Sequence, residues 1–152
     1  MVQIGRTGPA TPVAKIKPVR VGGVVVSSAT LHNADQIEAK GIRVGSKVIV
    51  RRAGDVVPEI VRTVPSAGDE LLSRYVMPSA CPSCGSHLVR LQGAVELHCP
   101  GGIKCPAQKQ GKLAHFASRL GMNIDNLGDK SVSTLISAGL SSMPSDLYSL
   151  ND

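Results

Sequence analysis

Cys81-Pro82-Ser83-Cys84 and Cys99-Pro100-Gly101-Gly102-Ile103-Lys104-Cys105 hold all the cysteines of the chain, in two pairs with residues 85–98 between them. Thiolates at C-x2-C spacing can point their sulfurs at one cation from a tight turn. A second pair after a short hairpin completes four soft ligands, so the spacing predicts one tetrahedral zinc site. Gly85 supplies the permissive backbone that the first turn needs. Between the pairs, Leu88-Val89-Arg90-Leu91, the turn Gln92-Gly93 and Ala94-Val95-Glu96-Leu97 read as a small hairpin. So few apolar side chains cannot hold a hairpin without a staple.

Two disulfides, or inert core thiols, are the alternatives. No secretion signal precedes the cysteines, which weighs against disulfides. A redox protein using C-x2-C would show reversible thiol oxidation without metal, whereas zinc predicts one tightly held ion per chain. Four cysteines close the coordination sphere and leave no position for a catalytic water. His87 and His98 are near enough in sequence to replace a thiolate, but beside four cysteines they are expected to face solvent. The second pair encloses five residues rather than two, which makes this a less regular zinc ribbon.

The 152 residues suit one ordinary domain or two to three small modules, and the zinc site in the second half favours modules. Hydrophobic residues make up 42% and charged ones 18%, a globular balance. Tyr75, Phe116 and Tyr148 are the only aromatic residues. A non-specific single-strand binder stacks bases on several aromatic faces, and this chain has no such row. The net charge of +6 and a pI near 9.4 favour a polyanionic partner, of which duplex phosphate is the simplest. No run of apolar residues is long enough to span a membrane. Val2-Gln3-Ile4 alternates like part of a strand without a cap or leader before it, so Met1 is expected to be an internal start rather than a natural terminus.

Along the chain, Gly5-Arg6-Thr7-Gly8-Pro9 reads as a turn and Thr11 to Arg20, with two prolines, as an extended edge segment. Val21 to Ser28 follows as a strand, with Gly22-Gly23 where a bulge or barrel corner would sit. Asn33 is an N-cap with Gln36 three residues on, so a short helix is predicted that Gly41 terminates. Ile42 to Arg52 alternates, placing Ile42, Val44, Val48 and Val50 on one face, and Gly54-Asp55 turns the chain into Val56 to Val64. Short, β-branched, glycine-punctuated strands with one helix fit a small closed barrel of the OB type; an SH3-like barrel or small sandwich fits the periodicity nearly as well. Leu113, Phe116, Ala117 and Leu120 at i, i+3, i+4 and i+7 predict a helix over residues 107–120, stopped by Gly121. A second helix is predicted over residues 130–138 before Gly139. A turn at Ile124 to Asp129 joins the two. Such a hairpin can aim free helical N–H groups at a phosphate, or be an ordinary helical hairpin with no ligand.

No constellation for covalent catalysis is visible. The most distinctive remaining stretch is Arg51-Arg52-Ala53-Gly54-Asp55-Val56-Val57-Pro58. Two arginines at a strand end, followed by an apolar pair, can neutralise phosphates while the valines press into a minor groove. Alone, the stretch reads more readily as a solvated strand end with two core valines.

Gly5-Arg6-Thr7-Gly8, Ala29-Thr30-Leu31-His32-Asn33, Arg51 to Pro58, Cys81 to Gly85, Cys99 to Pro106 and His115-Phe116-Ala117-Ser118-Arg119 follow one another as in the bacterial NAD-dependent DNA ligases. The chain resembles that family over nearly its whole length, including the irregular second cysteine pair. The resemblance implies an OB-fold domain over residues 1–78, of which residues 1–6 would be the tail of an adenylation domain. It further implies a four-cysteine zinc finger over residues 79–106 and the first helix-hairpin-helix unit from residue 107. Such enzymes seal 5′-phosphate/3′-hydroxyl nicks during replication and repair: a lysine takes AMP from NAD, AMP moves to the 5′-phosphate, and the 3′-hydroxyl displaces it. The nucleophilic lysine lies in a K-x-D-G motif that this sequence lacks, so the chain alone is expected neither to ligate nor to take up AMP. NAD and magnesium would bind outside it. The family places Arg6, Thr7, Arg52, Val56 and Val57 in the minor groove around the nick and Arg51 on the backbone. It places backbone amides near Asn126, Leu127, Gly128 and Lys130 on phosphates. Glycine is common in the family where this chain has Asn126, and asparagine tolerates left-handed geometry. Nicked duplex DNA as partner, a monomeric state, no membrane, and a cytoplasmic, nucleoid-associated setting complete the expectation. The rival is a self-standing zinc and OB module for structured RNA or a ribosomal surface.

Overall fold

The computed structural model describes residues 1–52 and 57–150, in two compact units. The first comprises Met1–Gln3, Ala10–Ser79 and Arg90–Leu97; the second comprises Ile4–Pro9, Ala80–Val89 and His98–Asp152.

In the first unit, β1 (Val2–Ile4) pairs with β2 (Pro9–Val21), and β2 pairs antiparallel with β3 (Val24–Thr30). β3 meets β5 (Glu59–Thr63) in parallel at Thr30, and β4 (Val48–Arg51) pairs antiparallel with β5. The hydrogen-bonded order is therefore β4-β5-β3-β2. Helix α1 (Ala34–Ala39) starts as the sequence predicts: Asn33 Oδ1 accepts the Gln36 N–H at 2.8 Å. Its C-terminal end is tied to β5, because Lys40 Nζ donates to the Ile60 carbonyl at 2.7 Å and Thr63 Oγ1 donates to the Lys40 carbonyl. Ala29, Leu31, Ile37 and Ile60 form the buried core, with Ala14, Ile42, Val48, Val50 and Tyr75 packed against it.

Two expectations need correction here. Gly22-Gly23 is neither bulge nor corner but the tip of the β2–β3 hairpin, at φ +56° and +82°. Positive φ at both central residues is what a two-residue turn between right-twisted strands requires. The irregularity expected there lies instead between Lys15 and Val19, around Pro18. The strand predicted from Ile42 shrinks to Val48–Arg51, and Val44 is 63% exposed. Gly45 and Ser46 fold the chain back, the Ser46 N–H donating to the Arg43 carbonyl, so alternation is broken after Val44. The predicted Gly54-Asp55 turn lies outside the described residues.

In the second unit, β6 (Val89–Arg90) and β7 (Leu97–His98) are two-residue strands, each with one residue assigned to this unit. Helices α2 (Pro106–Ala117) and α3 (Asp129–Ser137) pack on each other through buried Leu113, Ala117 and Val132. Phe116 and Tyr148 meet edge to face at 6.4 Å. α2 ends three residues before the sequence predicts, and Leu120 is 89% exposed rather than core. Ser118 closes the helix by donating both its N–H and its Oγ–H to the His115 carbonyl, and Met122 N–H then takes the Phe116 carbonyl. Among the described residues no helix is long and apolar enough to cross a membrane.

Candidate metal centre and nucleic-acid interface

Each cysteine pair is held by its own backbone. The Gly85 N–H donates to the Cys81 carbonyl at 2.9 Å, and the Cys81 N–H donates to the Ser86 carbonyl at 2.8 Å, closing the first turn. A 3-10 turn over Gly102–Lys104 carries the chain from Cys99 to Cys105, where α2 begins at once with Pro106. Ser83, between the first two cysteines, accepts the Ala107 N–H at 3.0 Å and so satisfies a free amide of the α2 N-terminus. Gln108, 3% exposed, donates from Nε2 to the Cys99 carbonyl at 2.9 Å and fixes the second pair to the same helix.

The four sulfurs lie within 4.8 Å of one another. Cys81 Sγ is 4.0 Å from Cys105 Sγ, and Cys84 Sγ is 3.5 Å from Cys99 Sγ. A disulfide needs about 2.05 Å, so these are thiols. A tetrahedron with Zn–S bonds of about 2.3 Å has sulfur–sulfur edges of about 3.8 Å, close to both separations. Hydrogen bonding with the Ser86 side chain and backbone brings the Cys84 thiol down to about 6, while burial pushes Cys99 up to about 12. Packed together without a cation, the thiols resist full ionisation; a divalent cation would stabilise the thiolates together. The donor set fits zinc.

His87 is exposed, as expected, and stands outside the sulfur cluster. His98 departs from expectation: its Nδ1 is buried with no hydrogen-bond partner, though the ring is not among the clustered ligands. Gly101 was not singled out by its sequence context. A Cβ there would lie 3.1 Å from both Cys84 Sγ and Cys105 Cβ and 3.3 Å from Cys99 Sγ. Gly101→Ala is expected to weaken zinc binding by tenfold or more in a chelator competition titration. Cβ at Gly102 meets nothing within 4 Å, so Gly102→Ala, strained only at its φ of +54°, should keep most of the affinity.

The charged candidates divide between the units. Arg51 and Arg52 stand at the end of β4, and Val57 follows at 66% exposed; Val56 lies outside the described residues. Arg51 donates from Nε to Glu59 Oε1 at 3.1 Å, and His32 Nε2 sits 3.2 Å from Glu59 Oε2. Arg51 first, then His32, hold the Glu59 carboxyl below its usual range. His32 adopts φ +62°, a left-handed conformation uncommon outside glycine. Neither His32 nor Glu59 was expected at this site. Their partnership spans 27 residues and leaves no local signal.

Arg6 and Thr7 are exposed in a turn closed by Gly5 N–H to Pro9 carbonyl and Gly8 N–H to Gly5 carbonyl, both 2.9 Å. This turn clusters with the second unit rather than with the strands that follow it. A Cβ on Gly111 of α2 would come within 2.9 Å of Arg6 Cβ, and the Cys99 N–H donates to the Gly8 carbonyl at 2.8 Å. At the helical hairpin, Asn126 has φ +61°, the left-handed geometry that asparagine tolerates. Gly128 precedes α3 with no side-chain cap, Lys130 is exposed, and Ser131 Oγ donates to the Asn126 carbonyl at 2.9 Å.

Residues 1–70 match the NAD-dependent DNA ligase OB-fold domain, and residues 80–107 match the NAD-dependent DNA ligase C4 zinc finger domain. Two proteins named DNA ligase, from Stenotrophomonas maltophilia strains K279a and R551-3, are each 53% identical over 150 residues. Those matches take in 99% of this chain and 18% of each relative, so the chain spans less than a fifth of their length.

Proposed function

Since the chain belongs to the NAD-dependent DNA ligases, carrying their OB-fold and C4 zinc finger domains, we propose that it is the part of such an enzyme that grips nicked duplex DNA. The observation that carries this reading is the end of β4. There Arg51 and Arg52 emerge together, Arg51 is braced by Glu59, and exposed Val57 follows. Guanidinium groups neutralise phosphate. Apolar tips at the same place can widen the minor groove and bring the nick ends toward an A-like geometry suited to in-line attack. Minor-groove information is nearly degenerate, which suits a protein that acts at any nick.

Roles follow by position. Arg6, Thr7, Arg52, Val56 and Val57 occupy the groove around the nick, and Arg51 takes the backbone. Asn126, Leu127, Gly128 and Lys130 present amides and charge to phosphates farther along. Residues 1–78 act as the OB domain, 79–106 as the zinc finger and 107–152 as the start of the helical hairpins. Cys81, Cys84, Cys99 and Cys105 would hold one zinc ion, which supplies cross-linking of the two turns and no chemistry at the nick. Adenylation belongs to a K-x-D-G motif outside this sequence, so NAD and magnesium act elsewhere in the enzyme and the chain alone neither ligates nor takes up AMP. The protein works as a monomer in the bacterial cytoplasm, in replication and repair.

The test is titration of a nicked duplex with the chain and its Arg52→Ala and Val57→Ala variants. Arg52→Ala is expected to weaken binding about tenfold and to lower the slope of log affinity against log salt by about one. Val57→Ala should weaken binding with that slope unchanged. Variants that bind as tightly as the parent would overturn the assignment.

A further inference from the structure

The β2–β3 hairpin extends well past the core of its unit, and its far end is a basic two-stranded ribbon. Val19, Arg20 and Val21 pair with Val26, Val25 and Val24, and every residue from Lys17 to Val25 except half-buried Val21 is exposed. Lys15, Lys17 and Arg20 lie on it, and the chain has no acidic residue before Asp35. Several other cations of the same unit are engaged in holding the fold. Arg43 donates to the Glu70 and Leu72 carbonyls and Lys40 to the Ile60 carbonyl, while Arg90 pairs with Asp35. Lys15, Lys17 and Arg20 form no hydrogen bond or ion pair through their side chains among the described residues. Their charge is unspent.

Resting on the reading of β4 as the groove-facing end, we propose that this ribbon is a second DNA contact, taking phosphates of the same duplex about five base pairs from the Arg51–Arg52 contact. The spacing follows from register. Arg51 pairs with Glu59 and Glu59 with Thr30, so the arginine end of β4 lies level with the base of β3. Arg20 pairs with Val25, five residues farther along β3. Along the strand direction, at roughly 3.3 Å per residue, that is about 17 Å, or about five steps of 3.4 Å on a DNA strand running parallel to β3.

Charge and shape select the occupant. A second copy of the chain pairing ribbon to ribbon would bring Lys15, Lys17 and Arg20 against their own equivalents with no acidic partner on either ribbon. Pro18 and the lysines on β2 also blunt that edge against strand addition by another protein. A polyanion with regularly spaced charge meets neither obstacle. The exposed valines Val19, Val24 and Val25 keep the ribbon extended through β-branching.

The experiment uses the whole chain, its Lys15→Gln/Lys17→Gln/Arg20→Gln variant and the Arg52→Ala variant. Each is titrated against two nicked duplexes over a salt series. One duplex carries ordinary phosphates, the other neutral methylphosphonates about four to six base pairs from the nick on both sides. On the ordinary duplex the triple variant is expected to lose roughly tenfold or more in affinity and two to three in salt slope. On the methylphosphonate duplex the parent should fall to the level of the triple variant, and the triple variant should lose nothing further. Arg52→Ala should weaken binding on both duplexes. If Arg52→Ala weakens binding but the triple variant and the neutral phosphates have no effect, the ribbon inference fails and the groove assignment stands. If the parent does not bind duplex DNA, both fall. Concentration-dependent dimers that the triple variant strengthens would assign the ribbon to a second copy and overturn the inference.

Discussion

Chelating the metal, or replacing Cys105 with serine, is expected to unfold residues 80–105 while strands β1 to β5 keep their pairing. β6 and β7 have two residues each, too few to persist on backbone pairing alone. Among the described residues of this segment the buried apolar side chains are Cys81, Leu88, Cys99 and Cys105. Three of those four belong to the cluster of sulfurs that could hold a metal. Burial of Leu88 contributes about 2 kcal/mol, against about 10 to 16 kcal/mol for zinc in isolated fingers near neutral pH. Cys105 is fully buried, and a serine there leaves a weak ligand and a hydroxyl away from water. Native mass spectrometry should show one zinc per chain, and amide spectra should lose their dispersion in this segment with the metal. A metal-free chain with the segment still ordered would contradict the account.

The second large effect is expected in the other unit. Ile60, 2% exposed, lies on β5 between β4 and β3 and touches the cluster of Ala29, Leu31 and Ile37. Its carbonyl also receives Lys40 Nζ, so the side chain and backbone of one residue tie α1 to the sheet. Ile60→Ala should cost about 2 to 5 kcal/mol, through lost burial and the cavity left behind. The neighbouring Val61, 39% exposed, faces outward, and Val61→Ala should change stability by less than about 1 kcal/mol. Chemical denaturation followed by circular dichroism measures both. Zinc content per folded chain should be unchanged in either variant. Equal effects at the two positions would mean that the core is not where the packing places it.

What the sequence made legible was local chemistry. The cysteine spacings, the Asn33 cap with Gln36 and the stop at Gly139 each depend on residues a few positions apart, and each appears as read. Periodicity failed where a turn intervened. Val44 and Leu120 both fit an apolar pattern, yet Val44 stands in a turn that delays the start of β4 and Leu120 lies past the end of α2. Gly22-Gly23 was legible as a break in the strand pattern, but a bulge and a hairpin turn both ask glycine for positive φ. The site had a further blind spot. The His32–Glu59–Arg51 network and the packing of Arg6 on Gly111 join residues far apart in sequence, and no spacing announces them. The roles of Ser83 and Gln108 were similarly hidden, although Ser83 stands inside the first cysteine pair.

The most direct test of the central claim is a competition at moderate salt, in which the chain chooses among nicked duplex, intact duplex, single-stranded DNA and structured RNA of equal phosphate number. Preference for the nicked duplex, weakening steeply as salt rises, is the expected result. Preference for single strands or RNA, with the nick ignored, would contradict the reading of this chain as the DNA-gripping part of a ligase.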